Sequence, residues 1–313
     1  MALGGTEPTA NTIGAVSEHG PGSDLDEGVR WRAFYDEARG RLEVIGEEFA
    51  AVDARRIVEE ASGAEPGEFA QVLDEFARKR GVAHFDAMLA RRIKGEPLQY
   101  VLGRWGFRSL DLAVDARVLI PRPETEAVVD LALAELRGIT DRESWVADLG
   151  TGSGCIGLSI VAENPRVRAI CTDASPAAIS AARSNAAGLG RPAGRVEIRE
   201  GDWFDALPIE RRGDFDVIIS NPPYVAADEA LPEVVADWEP TSALIAGPTG
   251  FEDGEILIEG AFEWLRSGGA LVLELGETQL EQASRLAADV GYVDIEVHRD
   301  LADRDRALVA RRP

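Results

Sequence analysis

The sequence predicts an α/β protein whose C-terminal part is a parallel β-sheet covered by helices on both faces, preceded by a small all-helical domain. After Pro121, short apolar runs alternate with segments of helical periodicity, which is the pattern of such a sheet. A glycine-rich segment follows the first apolar run and leads directly into a helical stretch. Before residue 94, apolar residues recur at helical spacing instead.

The N-terminal part divides into a tail and a helical domain. Residues 1–26 are rich in Gly, Thr, Ser and Pro and contain few apolar side chains. Such a segment cannot offset the entropy lost on ordering, so we expect a disordered tail. Residues 27–94 are predicted to form the helical domain, with breaks near Gly63, Gly67 and Gly81.

Residues 95–119 change to short alternating apolar pieces, at Tyr100–Leu102 and Leu110–Val114. This pattern predicts a β-hairpin that links the two domains. Residues 120–313 are predicted to form the sheet domain. Its predicted strands are Trp145–Leu149, Ala169–Thr172, Val196–Arg199, Phe215–Ser220, Ala270–Leu275, Asp294–Val297 and Ala307–Ala310.

Composition and charge argue against several classes of protein. The formal net charge is −23, and lysine occurs only at Lys79 and Lys94. Nucleic-acid binding needs a positively charged surface, so we expect no direct nucleic-acid partner. The sequence has no apolar run of membrane-spanning length and no secretory signal pattern, and we expect a cytoplasmic monomer. Cys155, Cys171 and the three histidines lack metal-site spacing, so neither a metal nor a disulfide framework is expected.

The glycine-rich segment Asp148–Gly154 follows the first predicted strand. Its glycines allow tight turns and close approach of a ligand, and the helix that follows offers free amides. Asp173 ends the second predicted strand, twenty-three residues after Gly150, where a carboxylate can accept hydrogen bonds from ribose hydroxyls. After the third strand, Asp202 can accept from an adenine amino group, and Trp203 offers an apolar wall.

These features predict S-adenosylmethionine as the cofactor. The alternative is a dinucleotide, because Gly152, Gly154 and Gly157 satisfy the G-x-G-x-x-G pattern. In a dinucleotide site the first glycine follows the strand at once, whereas here Gly150 does so and gives G-x-G-x-G. The predicted cofactor-binding residues are Gly150, Thr151, Gly152, Ser153, Gly154, Asp173, Asp202, Trp203 and Asn221.

The turn Asn221-Pro222-Pro223-Tyr224 directly follows the fourth predicted strand, at the edge where α/β sheets place ligands. The Asn221 side-chain oxygen can accept one N–H of a substrate NH₂ group, and the Pro222 carbonyl can accept the other. Pro222 and Pro223 fix φ and remove competing donors, while Tyr224 can stack on a planar amide or base. The turn therefore predicts methylation of a planar NH₂ nitrogen, with Asn221, Pro222 and Tyr224 as catalytic residues and all four residues binding substrate.

Taken together, the motifs resemble the peptide chain release factor N5-glutamine methyltransferases, from about residue 28 to the C-terminus. The matching positions are Gly95–Tyr100, Gly103, Phe107, Ile120–Glu126, Asp148–Gly154, Asp173, Asn221–Val225, Glu239–Pro240, Ala243–Leu244 and Asp300–Arg306. One departure is Asp303, where the family pattern has glycine. This departure concerns the local geometry of the terminal loop, and the predicted reaction is unaffected because Asp303 is not part of the Asn221 turn.

The resemblance implies a helical N-terminal domain for substrate recognition, a hairpin, and a class I methyltransferase domain with a Rossmann-like seven-stranded sheet. It implies methylation of the side-chain amide nitrogen of the glutamine in the Gly-Gly-Gln motif of class I peptide chain release factors, in translation termination. The methyl donor would be S-adenosyl-L-methionine and the product S-adenosyl-L-homocysteine. Arg122 and Glu124 would line the entrance to the cleft.

Three alternatives stay open. One is a related enzyme that methylates a ribosomal-protein glutamine, although Pro121–Glu126 and the helical domain favour a release factor. Another is an adenine amino-group methyltransferase acting on DNA or RNA, which the net charge disfavours. The last is a non-catalytic binding module with the same fold, against which the intact Asn221 and glycine loop argue.

Overall fold

Residues 28–65, 67–300 and 302–313 are described by the computed structural model. The predicted disordered tail, residues 1–26, lies outside the described residues. The N-terminal part is helical, and its helices are α1 (Trp31–Val44), α2 (Ala50–Ser62), α3 (Phe69–Val72), α4 (Lys79–Ile93) and α5 (Leu98–Leu102).

One apolar cluster holds these helices together. Leu42, Ile57, Phe85 and Leu89, from three different helices, are all fully buried in it. Burying such side chains stabilises the fold by about 1.5–3 kcal/mol each. The apolar positions that recur at helical spacing therefore form the inward face of each helix.

The linker contains a hairpin, but it is shorter than the sequence predicts. Strands β1 (Arg104–Phe107) and β2 (Leu110–Ala113) pair antiparallel. The expectation of a strand at Tyr100–Leu102 was wrong, because these residues belong to α5. That helix ends at Gly103, whose left-handed φ of 72° lets its N–H donate to carbonyls of the last turn. The hairpin begins only after this stop.

The C-terminal part is a seven-stranded sheet in the order β10-β11-β9-β6-β3-β4-β5. A separate two-stranded pair is formed by β7 and β8. The strands are β3 (Ser144–Leu149), β4 (Val167–Asp173), β5 (Val196–Glu200), β6 (Phe215–Ser220), β7 (Val225–Ala226), β8 (Ile245–Gly247), β9 (Leu265–Glu274), β10 (Val293–Arg299) and β11 (Asp305–Arg311).

The sequence predicts a parallel sheet, and the structure differs from this at one strand. Strand β11 is antiparallel to both β9 and β10. Only residues 300–304 connect β10 to β11, and the Asp300 amide donates to the Arg304 carbonyl at 2.9 Å. A parallel pair would need a crossover of a dozen or more residues, so this short connection fixes the antiparallel orientation.

Helices cover both faces of the sheet. Adjacent strand residues point to opposite faces, so Val146 packs in one apolar cluster and Ala147 in the other. The first cluster includes residues of α6, α7 and α8, and the second includes residues of α10 and α11. The helices are α6 (Pro123–Leu136), α7 (Cys155–Glu163), α8 (Pro176–Gly188), α9 (Glu233–Trp238), α10 (Glu252–Trp264) and α11 (Leu280–Val290).

Strand order places a ligand-binding crevice at the middle of the sheet. From β3 the chain builds outward through β4 and β5, then returns to add β6 on the other side of β3. At such a reversal the connections after the two central strands leave in opposite directions, which opens a crevice at their carboxyl ends. The residues that follow β3 and β6 therefore face a common space.

Candidate active site

A cavity of about 270 Å³ lies at the carboxyl edge of the sheet. Its lining includes Gly150 after β3, Asp173 at the end of β4, Asp202 after β5 and Asn221 after β6. Four neighbouring parallel strands thus deliver the predicted cofactor residues and the predicted acceptor-binding asparagine to one space. Thr151, Gly152, Ser153, Trp203 and Pro223 line the same cavity.

Three of the predicted site residues are not among the lining residues. Gly154 begins α7 with a left-handed φ of 85°, so its observed role is to start the helix. Pro222 is buried and Tyr224 is half-buried, and neither is among the lining residues. The predicted contacts of Pro222 and Tyr224 with substrate therefore stay predictions.

The glycine loop is fixed from behind by Asp148. This fully buried carboxylate accepts hydrogen bonds from the Thr151 hydroxyl and from the Gly157 amide, the latter at 2.9 Å. Burial raises the pKa of Asp148 to about 6, and the two hydrogen bonds oppose that rise. The side chain does not line the cavity, so its role is to hold the loop that does.

Asp173 is a half-buried carboxylate at the rim of the cavity. It accepts hydrogen bonds from the amides of Gly152 at 2.9 Å and Ser175 at 2.8 Å. Burial raises its pKa, while the two amides lower it. A carboxylate has about four acceptor sites, so acceptors remain beyond these two bonds. Asp173 therefore both anchors the glycine loop and can still accept from a ligand.

Trp203 lines the cavity next to the glycine loop. A Cβ added at Gly150 would lie 3.2 Å from the Trp203 ring, so the glycine is what allows the ring to approach the loop. Asp253, from α10, also lines the cavity. Burial, followed by the negative charges of Asp202 and Glu252, raises the pKa of Asp253 to about 6. Asp253 belongs to no sequence motif named above, and it was not predicted to be a site residue.

The Asn221 side chain is oriented by a residue from another element. Its Nδ2 donates to the Thr125 hydroxyl of α6 at 3.1 Å. Thr125 is 2% exposed and also lines the cavity. Thr125 lies in the matching segment Ile120–Glu126, but no role for it could be predicted. Thr125 and Asn221 are 96 positions apart, and a contact at that separation leaves no local sequence signal.

The other end of the turn is held by Gln279. Its Nε2 donates to the Tyr224 carbonyl at 3.0 Å and to the Gly250 carbonyl at 2.8 Å. Its side-chain oxygen accepts from the Gly276 amide at 3.0 Å. Three hydrogen bonds fix the orientation of this carboxamide, which therefore holds the backbone of Tyr224 in place. No local sequence pattern identifies Gln279 as part of the site, because Tyr224 lies 55 residues away.

The family motifs around the cavity divide into those that reach it and those that do not. Arg122 lines the cavity and pairs with the buried Glu239, which also accepts from the Ile120 amide at 3.1 Å. Glu124 is not among the lining residues and pairs instead with Arg304 at 3.2 Å. Of the two residues expected at the entrance, the structure brings only Arg122 to the cavity.

Asp303 has a left-handed φ of 63°. Glycine adopts this conformation freely, and aspartate is one of the few other residues that tolerate it. Its amide donates to the Asp300 carbonyl at 3.0 Å, and its carboxylate pairs with Arg299 at 3.0 Å. Asp303 therefore occupies a turn conformation that suits glycine.

Three further observations concern metal ligands, the Cys155 thiol and membrane-spanning helices. No group of three or more His, Cys, Asp and Glu side chains is placed to hold a metal within them. Cys155 lines the cavity, but burial raises the pKa of its thiol to about 12, so it stays protonated at neutral pH. Among the residues that the structure describes, no helix has the length and apolar character to cross a bilayer.

Two family profiles match this chain. The family profile of the PrmC N-terminal domain matches residues 34–103, and that of the methyltransferase small domain matches residues 129–238. The fold class predicted from the sequence, a class I methyltransferase domain with a helical N-terminal region, is thereby confirmed.

Full-length relatives extend the match over most of the chain. The release factor glutamine methyltransferase of Cereibacter sphaeroides is 41% identical over 275 residues, which cover 87% of this chain and 95% of that protein. That of Xylella fastidiosa is 44% identical, covering 73% and 81%, and that of Rhodospirillum rubrum is 35% identical, covering 94% and 88%. The chain belongs to the release factor glutamine methyltransferase family.

Proposed function

We propose that this protein transfers a methyl group from S-adenosylmethionine to the side-chain amide nitrogen of the glutamine in the Gly-Gly-Gln motif of class I peptide chain release factors. One observation supports this most strongly. Asn221, whose amide is held by Thr125, lines the same cavity as the glycine loop and Asp173. Membership of the release factor glutamine methyltransferase family supports the identity of the acceptor.

The lining residues fit the proposed cofactor. Asp173 has acceptor capacity left for ribose hydroxyls, and Asp202 can accept from an adenine amino group. Trp203 lies against the glycine loop and gives the base an apolar surface. The bound cofactor would supply an electrophilic methyl group on a sulfonium centre.

The turn would prepare the acceptor amide for attack. An amide nitrogen is a weak nucleophile because its lone pair is delocalised. Asn221 Oδ1 can accept one N–H of this amide and the Pro222 carbonyl the other, which holds the nitrogen in place. Positive charge develops on the nitrogen as the new N–C bond forms, so two acceptors stabilise the transition state more than the ground state. The proton can leave to water after transfer.

Charge and family membership separate this proposal from the alternatives. The net charge of −23 disfavours a nucleic-acid acceptor, because backbone phosphates repel an acidic surface. A glutamine of a ribosomal protein presents the same amide group, so the labelling experiment below is needed to distinguish it from the release-factor glutamine. The proposal includes a cytoplasmic location, because release factors act in the cytoplasm. It also includes a monomeric state.

The acceptor is tested by incubating the protein with methyl-labelled S-adenosylmethionine and, separately, a release factor, ribosomal protein and DNA. We expect label on the release factor alone. A release factor whose Gly-Gly-Gln glutamine is replaced by alanine should receive none. Label confined to ribosomal protein or to DNA would refute the proposed acceptor.

The role of the turn is tested with Asn221→Ala. Removing the acceptor should lower kcat by about a hundredfold or more, while the dissociation constant of S-adenosylhomocysteine changes by less than about threefold. Asn164→Ala, at an asparagine outside the cavity, should leave both quantities unchanged. Equal losses of turnover and cofactor affinity in Asn221→Ala would mean that Asn221 is structural.

A further inference from the structure

The orientation of the Asn221 carboxamide decides whether it can bind an NH₂ group. One end of the group is an acceptor oxygen and the other is an NH₂ donor. The two ends have nearly the same shape, so only neighbouring hydrogen-bonding groups distinguish one orientation from the other. An Asn221 rotated by half a turn would present a donor to the acceptor amide, and the two N–H groups would repel.

Thr125 faces the NH₂ end of Asn221. Asn221 Nδ2 donates to Thr125 Oγ1 at 3.1 Å. No residue in the described ranges donates to Asn221 Oδ1, and Asn221 lines the cavity. This orientation leaves the acceptor oxygen for a ligand.

A hydroxyl alone does not impose this orientation, because it can donate as well as accept. Glu274, the last residue of β9, is 1% exposed and lies next to Asn221, because Ser220 of β6 pairs with Leu273 of β9 and these two residues directly precede Asn221 and Glu274. Hydrogen bonding by the Thr125 hydroxyl lowers the pKa of Glu274. An ionised carboxylate only accepts, so Glu274 takes the hydroxyl proton. Thr125 is then left with only lone pairs toward Asn221, and only the NH₂ end of Asn221 can pair with them.

We propose that Thr125 and Glu274 are positioning residues that keep the Asn221 oxygen directed at the acceptor amide. The inference rests on the proposed function, because it assigns Asn221 the role of acceptor. Glu274 is suited to this role: its Oε2 is buried and has no hydrogen-bond partner among the described residues. The Glu274 carboxylate therefore has free acceptor capacity for the proton of the Thr125 hydroxyl.

The ionisation of Glu274 provides a second readout. Burial raises the pKa of Glu274 to about 7, while Thr125 and two arginines lower it. A protonated Glu274 would donate to Thr125, and the freed hydroxyl proton could then bind Asn221 Oδ1 and stabilise the rotated amide. Turnover should therefore fall as the pH falls through about 7. The titratable and charged groups facing Glu274 are Arg306, Arg122, Glu124, Tyr224 and Cys155.

The test compares Thr125→Val, which keeps the shape and removes the hydroxyl, with Thr125→Ser, which keeps the hydroxyl. Thr125→Val should lower kcat by about tenfold or more. Its KM for the protein acceptor and its dissociation constant for S-adenosylhomocysteine should stay within about threefold of wild type. Thr125→Ser should restore kcat to within about threefold. Wild-type kcat in Thr125→Val, or a Thr125→Ser variant as slow as Thr125→Val, would overturn the proposal.

Glu274→Gln provides an independent test if Thr125→Val does not fold. A glutamine can either donate to or accept from Thr125 and does not titrate, so kcat should fall and the loss of turnover near pH 7 should disappear. An acid limb identical to that of wild type would overturn the proposal. Each comparison uses whichever acceptor the wild type labels, so an error in the release-factor assignment appears separately, as label on another acceptor.

Discussion

The two sides of the cavity are held in place in different ways. The glycine loop is fixed by contacts closer in sequence, since Asp148 binds Thr151 and Gly157 three and nine residues away and Asp173 binds Gly152 at a separation of 21 residues. The Asn221–Tyr224 turn is fixed by Thr125 and Gln279, which are 96 and 55 residues away from their partners. Substitutions that disturb the contacts of the glycine loop should therefore weaken cofactor binding. Substitutions at the distant residues that hold the Asn221–Tyr224 turn should instead lower turnover and leave cofactor binding intact.

The strongest way to break the loop side is Gly157→Ala. A Cβ there would lie 2.4 Å from Cys171 Sγ and 2.9 Å from Asp148 Oδ2. Overpacking of this kind costs about 1–3 kcal/mol of unfolding free energy. Displacement of Asp148 should weaken S-adenosylhomocysteine binding by about tenfold or more. Denaturant unfolding and calorimetry measure the two effects.

Gly188→Ala is the matched control. Gly188 ends α8, and a Cβ there would meet nothing within 4 Å. Its unfolding free energy should stay equal or rise slightly, and its cofactor affinity should not change. If Gly157→Ala behaved like Gly188→Ala, the buried contacts of Asp148 would not control the loop.

The turn side is tested with Gln279→Glu. In the wild type, Gln279 Nε2 donates to the carbonyls of Tyr224 and Gly250. The variant keeps the side-chain shape but places a carboxylate oxygen against these carbonyls, and the two oxygens repel. Displacement of Tyr224 should lower kcat by about tenfold, with cofactor affinity within about threefold of wild type.

Gln71→Glu, at an exposed glutamine of α3, should leave kcat unchanged and controls for the added charge. A Gln279→Glu variant that loses cofactor affinity as strongly as turnover would mean that the two sides of the cavity are not held independently.

The smallest expected effect concerns Asp253. Its pKa of about 6 means that the carboxylate is ionised at pH 7.5 and becomes protonated as the pH falls through 6. The ionised form attracts the positive charge of S-adenosylmethionine, so affinity should fall by about threefold between pH 7.5 and 5.5. Asp253→Asn should bind with a flatter pH dependence. An unchanged pH dependence in Asp253→Asn would assign the effect to another group.

The residues that could be predicted from the sequence are those placed by local patterns, and those that could not are placed by contacts distant in sequence. The glycine loop, Asp173 and the Asn221 turn each follow a strand, so a local pattern places them at one edge of the sheet. Thr125, Gln279, Glu274 and Asp253 act through partners distant in sequence, and one sequence contains no signal of such contacts.

Two errors in the fold also have local causes. The apolar pattern of Tyr100–Leu102 suits a strand or a short helix equally well. The left-handed Gly103 caps the helix, because its N–H donates to carbonyls of the last helical turn. The direction of β11 depends on the length of the turn before it, which apolar periodicity does not report. Short apolar segments are ambiguous by periodicity alone.

The most direct test of the central claim is to locate the transferred methyl group by tandem mass spectrometry of a release factor incubated with S-adenosylmethionine and either the wild type or Asn221→Ala. The account predicts one methyl group on the side-chain amide of the Gly-Gly-Gln glutamine with the wild type, and at most about a hundredth of that rate with Asn221→Ala. A methyl group on any other residue, or equal methylation of the glutamine by both proteins, would contradict it.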